Sequence, residues 1–210
     1  MPRAALRTLI AGGPHVLIVL SGPSGVGKDT VLAILRRRRL PLFFAGTTTT
    51  RPRRRGDPTR GGLLRFLTPV QYDQLLAEDG LLEHAEVYGY RYGVPKAPVR
   101  EALARGQDVI VRVDVQGAAT IKTLVPGAVT VFVAPPSLEA LEARLRGRGA
   151  DDEATVARRL DVARREMAEG ARFDYRVVNE EGRAQEAASR VAAIIAAEKA
   201  RVGRKPIVIP

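Results

Sequence analysis

Residues 15–30 read HVLIVLSGPSGVGKDT, and this stretch decides which fold we expect. It opens with a short β-branched apolar run, typical of a strand that is buried on both faces. A glycine-rich turn follows, and apolar residues then recur at helical spacing. Gly22, Gly27 and Lys28 match the G-x-x-x-x-G-K pattern of a phosphate-binding loop, in the strand–loop–helix context that this pattern requires.

The physical basis of such a loop is its backbone. Glycines permit backbone angles that point successive N–H groups inward, which makes a concave nest for anions. The following helix adds the positive end of its dipole, and Lys28 can reach the β- and γ-phosphates of a nucleotide. The sequence therefore predicts an ATP site formed by Gly22, Pro23, Ser24, Gly25, Val26, Gly27, Lys28, Asp29 and Thr30.

The last position of the motif departs from the pattern. A Ser or Thr hydroxyl normally holds Mg²⁺ there, whereas this chain has Asp29, with Thr30 next. A carboxylate is also a hard oxygen ligand that suits Mg²⁺, directly or through water. We therefore expect Mg²⁺ as a cofactor and Asp29 as its ligand.

Strands and helices alternate along the rest of the chain, which favours an α/β protein with an open parallel sheet covered on both faces. Further strands are expected at 108–113, 130–133 and 175–178, and helices at 29–38, 69–78, 98–105, 137–146, 152–169 and 184–202. The expected fold class is a three-layer P-loop core with an inserted lobe. The expected division is a basic extension at 1–14, a core at 15–42 and 96–200, an insertion at about 43–95 and a tail at 201–210.

Composition limits the possible functions. The chain has 210 residues, no cysteine and a formal net charge of +11. The missing cysteines exclude disulfides and thiolate metal sites and favour a cytoplasmic location. No apolar run approaches the ~20 residues that a membrane helix requires, so we expect no membrane partner. The basic balance indicates polyanionic partners, either nucleic acid or small phosphorylated molecules.

A second basic cluster lies at residues 47–57, TTTTRPRRRGD. Four hydroxyls and four arginines are difficult to bury without an anionic partner, because an unpaired internal charge is very costly. Arginine forks suit bidentate contacts to phosphate better than lysine does. The cluster therefore predicts a second phosphate site.

With this cluster, the chain resembles the guanylate kinase family from residue 15 to about 199. The motifs that carry the resemblance appear in the family's order: Thr50, Arg51, Arg54, Gly56 and Asp57; residues 82–89 (LEHAEVYG); Tyr92 and Gly93; residues 114–118 (DVQGA); Arg144, Leu145, Arg148, Gly149 and Arg159; and residues 178–180 (VNE). The resemblance implies ATP-dependent phosphorylation of GMP to GDP, with GMP and ATP as the small-molecule partners. It implies a monomer or a homodimer and no specific nucleic acid. The resemblance further implies that the inserted lobe is acceptor-binding and that a helical lid lies at about 144–165.

The resemblance also implies residue roles. Arg51, Arg54 and Tyr92 would hold the GMP phosphate, and Glu83 would accept hydrogen bonds from the guanine N1–H and 2-amino group. Thr47 and Asp114 would contact the base, and Asp57 would lie near the phosphate-binding arginines. Arg148 and Arg159 would close over the ATP phosphates, with Arg144 nearby. Asn179 would contact the adenine. The implied catalytic residues are Lys28, Arg51, Arg148 and Arg159. Considered alone, Glu83 could be a surface acid, Asp114 a helix cap, Tyr92 a core residue, Asn179 a turn residue and the lid arginines solvated.

Three departures fall near the acceptor. Leu64 stands where the family has a phosphate-binding tyrosine, and Val94 where it has a hydroxyl that contacts guanine. Arg112 stands where an acid, often Asp, precedes the motif at 114–118. Losing a hydroxyl contact costs ~1 kcal/mol or more in discrimination between bases.

These departures leave other functions open. A ribose 1,5-bisphosphate phosphokinase resembles this chain in its G-K-D loop and lacks the guanine-binding hydroxyls. A non-catalytic guanylate-kinase-like interaction module typically loses the phosphate loop, which is intact here. A nucleic-acid-binding protein would need stacking aromatics, and the chain has only five Phe and five Tyr.

Overall fold

The central sheet is built around β1 (Leu17–Ser21), a strand in which every residue is buried. This computed structural model of the chain describes residues 14–53, 63–87, 89–147 and 152–210. β1 pairs in parallel with β7 (Asp108–Arg112) on one side and β8 (Val129–Ala134) on the other. β2 (Leu42–Phe44) and β9 (Tyr175–Val178) complete the five-stranded order β2-β7-β1-β8-β9, again in parallel. The expected open parallel sheet is confirmed.

Helices cover both faces of this sheet, because alternate strand residues point to opposite sides. Ile18 and Leu20 pack into one apolar cluster, and Leu17 and Val19 into a second. The helices of the first face are α1 (Lys28–Arg37), α5 (Leu138–Arg146), α6 (Glu153–Glu169) and α7 (Ala184–Lys199). Those of the second face are α3 (Lys96–Ala104) and α4 (Val115–Leu124).

A second, four-stranded sheet lies between β2 and α3 in the chain. Its order is β4-β3-β6-β5, formed by β3 (Thr47–Thr49), β4 (Leu64–Phe66), β5 (Leu81–Val87) and β6 (Tyr90–Pro95). One further helix, α2 (Pro69–Ala77), belongs to this region, and its buried Tyr72 donates a hydrogen bond of 2.7 Å to the Tyr92 carbonyl. Sequence patterns did not predict these four strands; β3 and β4 have only three residues each, whereas β5 and β6 have seven and six.

The predicted helices are present, with ends shifted by a few residues. Ser137 and Asp152 cap α5 and α6 by accepting from the backbone N–H groups of Ala140 and Thr155. The pattern did not predict α4, because Gly117 and four β-branched residues are poor helix formers and tertiary packing of Ala118 and Ile121 decides the outcome. Within the described residues, none of the helices combines the length and apolar character needed to cross a membrane.

A buried ion pair connects the end of α7 to the start of β7. Lys199 Nζ lies 3.0 and 2.9 Å from the two carboxylate oxygens of Asp108, and both side chains are almost fully buried. Asp108 also accepts from the Val16 backbone N–H at 2.9 Å, which fixes the approach to β1. The pair therefore stabilises the entry into the central strand.

We expect Lys199→Met to lower the free energy of unfolding by about 3–5 kcal/mol, because it takes the lysine away from a buried carboxylate whose other described partners are the Val16 N–H and, at 4.0 Å, the His15 ring. Urea denaturation at pH 7 measures this effect. Lys205 is exposed, and Lys205→Met serves as the matched control, for which the free energy of unfolding should change by no more than about 0.5 kcal/mol. Equal effects for the two variants would contradict the role given to the pair.

Candidate active site

The phosphate loop joins the carboxyl end of β1 to α1, and its conformation depends on glycine. Gly22 and Gly27 have φ values of 139° and 97°, in the range that favours glycine. A Cβ on Gly22 would stand 2.1 Å from the Val133 carbonyl oxygen, and one on Gly27 would stand 2.5 Å from Asn179 Nδ2. Gly27 is also the left-handed N-cap of α1, with no side-chain cap, so the helix N-terminus faces the loop. The loop has the form of an anion nest.

Lys28 lies inside this loop. Its Nζ donates hydrogen bonds to the carbonyls of Gly22 and Pro23, the second at 3.0 Å. Burial lowers the pKa of Lys28 to about 8, partly offset by the nearby acids Glu166, Asp29 and Asp114. An ammonium that has lost much of its hydration interacts strongly with an anion placed beside it.

Asp29 occupies the first turn of α1, with its carboxylate largely exposed. Among the residues that the structure describes, no group of three or more His, Cys, Asp or Glu side chains could hold a metal ion by itself. Mg²⁺ in phosphoryl-transfer enzymes usually takes one or two carboxylates together with substrate phosphates and water. A single exposed carboxylate beside the loop fits that donor set.

A pocket of about 720 Å³ lies on the side of the loop toward β9, lined by Gly25, Val26, Gly27, Thr30, Ala140, Ala143, Arg144, Gly147, Asn179, Glu180, Glu181, Gly182 and Ala184. Asn179 is buried, and its Nδ2 donates to the Val26 carbonyl at 2.7 Å. Arg144 donates to the Asn179 carbonyl at 2.9 Å and to Glu181 at 2.7 Å. Both predicted residues therefore lie at this pocket, where they hold the loop from outside.

Helix α6 carries Arg159 and also Glu166, an acid that the sequence analysis did not single out. Arg159 is partly buried on α6, whereas Arg148 lies outside the described residues. Glu166, two helical turns after Arg159, turns its carboxylate toward the loop, where the Ser24 backbone N–H lies near it. Its Oε2 is buried without a hydrogen-bond partner among the described residues, and burial raises the pKa of Glu166.

On the acceptor side, Arg51 is a buried cation. It is 8% exposed, donates to the Pro52 carbonyl at 2.8 Å, and stands over the Phe66 ring at 5.2 Å. Arg53 stands over the same ring at 4.5 Å. Arg54 and Asp57, the other predicted phosphate-site residues of this cluster, lie outside the described residues.

The predicted base pocket centres on Glu83, which is 5% exposed. Burial first, and the charge of Asp114 second, raise the pKa of Glu83 to about 8. A Cβ on Gly117 would stand 2.8 Å from Glu83 Oε2, so only glycine leaves room for this carboxylate. Glu83 is therefore not a surface acid.

The other acceptor-side predictions have mixed outcomes. Asp114 does cap a helix, since its Oδ1 accepts from the Gly117 N–H at 2.7 Å, and its charge also acts on both Lys28 and Glu83. Thr47 is buried on β3, and Tyr92 is half-buried on β6. Val94 is fully buried in an apolar cluster.

The strand order explains why these residues meet. Parallel strands place all their carboxyl ends at one edge of a sheet, where ligands of such folds bind. The phosphate loop follows β1, Asp114 follows β7 and Asn179 follows β9. A phosphate nest at this edge, together with a separate lobe that carries a buried arginine, defines a P-loop kinase that phosphorylates a small anionic acceptor.

Comparison with known proteins identifies the family. The model of the guanylate kinase family matches residues 15–198, so the chain belongs to that family. It is 49% identical to a guanylate kinase of Gloeobacter violaceus, covering 78% of this chain and 80% of the relative. It is 42% identical to one of Carboxydothermus hydrogenoformans, covering 90% and 91%. The crystal structure of guanylate kinase from Anaplasma phagocytophilum superposes with a TM-score of 0.75 at 30% identity, covering 91% of this chain and 90% of that one.

Proposed function

We propose that the chain transfers the γ-phosphoryl group of ATP to GMP, giving ADP and GDP, across the cleft between the phosphate loop and the arginine-bearing sheet. Family membership and relatives at 42–49% identity support this activity. The structural observation that carries it is a series of contacts at the carboxyl edge of the sheet: Asp114 follows β7, the neighbour of β1, and caps Gly117, and Gly117 packs against the Glu83 carboxylate.

The chemistry needs no general base. The acceptor phosphate has a second pKa of ~6 and is mostly dianionic at pH 7, so its oxygen is already a nucleophile. The protein must align two polyanions and stabilise the charge on the transferred group. Lys28 and Arg159 would do this on the donor side and Arg51 on the acceptor side, and Arg148 and Arg54 would join them.

Asp29 would hold Mg²⁺ on the donor side. When bound with the nucleotide, the metal would neutralise negative charge on the β- and γ-phosphates. Lys28 would exchange its contacts with the Gly22 and Pro23 carbonyls for the phosphates. Arg144 and Asn179 would keep the loop in place beside the adenine pocket.

Selection of guanine would depend on Glu83. An ionised carboxylate accepts both the N1–H and the 2-amino hydrogen bonds of guanine, whereas adenine lacks that pair of donors. Gly117 leaves the space that this carboxylate occupies. Thr47 and Asp114 would complete the base pocket, and Tyr92 would reach the acceptor phosphate. The cysteine-free composition supports a cytoplasmic location as a further proposal.

GMP binding is expected to release a proton near pH 7. The raised pKa of about 8 means that Glu83 is mostly protonated in the free protein, and binding guanine requires the ionised form. Affinity for GMP should therefore rise from pH 7 to pH 8.5. The second pKa of the GMP phosphate, ~6, lies below this range, so ionisation of the phosphate contributes little to the rise. Calorimetry in two buffers of different ionisation enthalpy should find release of close to one proton per GMP at pH 7, and Glu83→Gln should abolish it. Proton release that survives Glu83→Gln would contradict the assignment.

The activity itself is tested by ADP release with Mg²⁺, ATP and a panel of acceptors: GMP, AMP, dTMP and ribose 1,5-bisphosphate. The proposal expects GMP to be used best, with AMP and dTMP at least about 10²-fold slower in kcat/KM. Preferential use of ribose 1,5-bisphosphate would favour the alternative left open by Val94 and Leu64.

A further inference from the structure

Two unusual residues of this chain meet at the phosphate loop. Asp29 replaces the hydroxyl of the loop motif, and Arg112 replaces the acid that precedes the motif at 114–118. Asp29 begins α1 and Arg112 ends β7, and the pairing of β1 with β7 brings these positions together. Arg112 Nε lies 3.4 Å from Asp29 Oδ1.

The charges of the two replacements are complementary. The phosphate-loop motif has a neutral hydroxyl at position 29, and the family that this chain resembles has an acid at position 112, whereas this chain has a carboxylate at 29 and a guanidinium at 112. The number of carboxylates in the pair is therefore unchanged, but the carboxylate has moved to the start of α1. The added cation lies against it.

Resting on the function proposed above, we infer that Arg112 is a positioning residue for the Asp29 carboxylate, and that the two act as one unit in holding the metal that accompanies ATP. A carboxylate on a flexible, exposed side chain has many rotamers, and a guanidinium beside it restricts them. Partners of metal ligands act in this way, and their loss typically costs about 10–100-fold in metal affinity.

The location of Arg112 distinguishes this pair from an ordinary surface ion pair. Arg112 is about one-third exposed, and its charge is among those that act on the buried Lys28. The Arg105–Glu101 pair at the end of α3 has two well-exposed side chains and is a matched exposed pair in this chain. Exposed pairs of that kind contribute about 0–1 kcal/mol and have no ligand to affect.

A double-mutant cycle tests the inference. Wild type, Asp29→Asn, Arg112→Gln and the double variant are titrated with Mn²⁺ in the presence of ADP, with free Mn²⁺ followed by electron paramagnetic resonance. The Mg²⁺ concentration for half-maximal turnover is measured alongside, and melting temperatures report on folding. Arg105→Gln is the control and should leave all three quantities unchanged.

Arg112→Gln should weaken Mn²⁺ binding about tenfold and Asp29→Asn at least as much, while the double variant should be no weaker than Asp29→Asn because Arg112 acts through Asp29. Asp29→Ser combined with Arg112→Asp, which restores the usual arrangement, should bind Mn²⁺ within about threefold of wild type. The inference would be overturned if the losses of Mn²⁺ affinity in the two single variants multiplied in the double variant, or if Arg112→Gln left the Mn²⁺ affinity unchanged.

If wild type phosphorylates GMP while these shifts in Mn²⁺ affinity are missing, the inferred role of the Asp29–Arg112 pair is wrong and the proposed function stands. If wild type phosphorylates no acceptor, the function fails first.

Discussion

Lys28→Ala is expected to lower kcat by about 10³-fold or more with every acceptor, because the variant removes the one lysine placed inside the anion nest. The ammonium is largely desolvated and lies on the Gly22 and Pro23 carbonyls, where phosphate oxygens would replace them. Charge stabilisation at that position does not depend on which base the acceptor carries. Steady-state ADP release at saturating ATP measures the loss.

Lys205→Ala is the matched control, since Lys205 is exposed in the C-terminal tail, and its kcat should equal that of wild type. Lys28→Ala should keep its fold, because the hydrogen bonds that Lys28 makes go to two loop carbonyls, and within the described residues no acid lies within ion-pair distance of its Nζ. A loss confined to GMP, with other acceptors unaffected, would show that Lys28 belongs to acceptor recognition and not to phosphoryl transfer.

Glu83→Gln is expected to lower kcat/KM for GMP by about 10²–10³-fold while leaving the slow reaction with AMP nearly unchanged. The amide is isosteric with the carboxylate, but it presents an N–H₂ group where guanine also presents donors. The variant loses one of the two carboxylate oxygens that accept from guanine, and its NH₂ group then faces a guanine N–H donor. In a buried site such an unsatisfied polar group is costly. Parallel kinetics with GMP and AMP measure the selectivity.

Unfolding cannot produce this pattern, because the same substitution is expected to stabilise the free protein. The pKa of Glu83 is higher in the folded protein than in the unfolded chain, so the folded state holds the additional proton. Stability from this residue therefore falls as pH rises from about 4.5 to about 8, and Gln removes that dependence. Equal losses with GMP and AMP would contradict a role for Glu83 in choosing the base.

The sequence predicted best what is local. The phosphate loop, its flanking strand and helix, and the caps at Ser137 and Asp152 depend on neighbouring residues, and all are present in the structure. The short strand β3 depends on pairing with distant segments, and α4 forms despite Gly117 because its buried face, with Ala118 and Ile121, packs on the sheet.

The parts of the site that sequence reasoning missed are contacts between distant segments. Asp29 and Arg112 each depart from the expected motifs, but nothing local indicates that they lie together. Glu166 stands on a helix rich in arginine and glutamate, where it resembles any exposed acid until the packing of α6 buries it. The need for glycine at 117 similarly becomes clear only when Glu83 is seen beside it.

In the proposed reaction, the nest around Lys28 and the arginine-bearing lobe would hold the two ends of one phosphate chain. A crystal structure with a bisubstrate analogue, in which adenosine and guanosine are joined by five phosphates, tests it most directly. The account predicts Lys28 Nζ in hydrogen-bond contact with the phosphates, Arg51 at the guanosine end and the Glu83 carboxylate on the guanine edge. Lys28 still bound to the Gly22 and Pro23 carbonyls, with the guanosine away from Glu83, would contradict it.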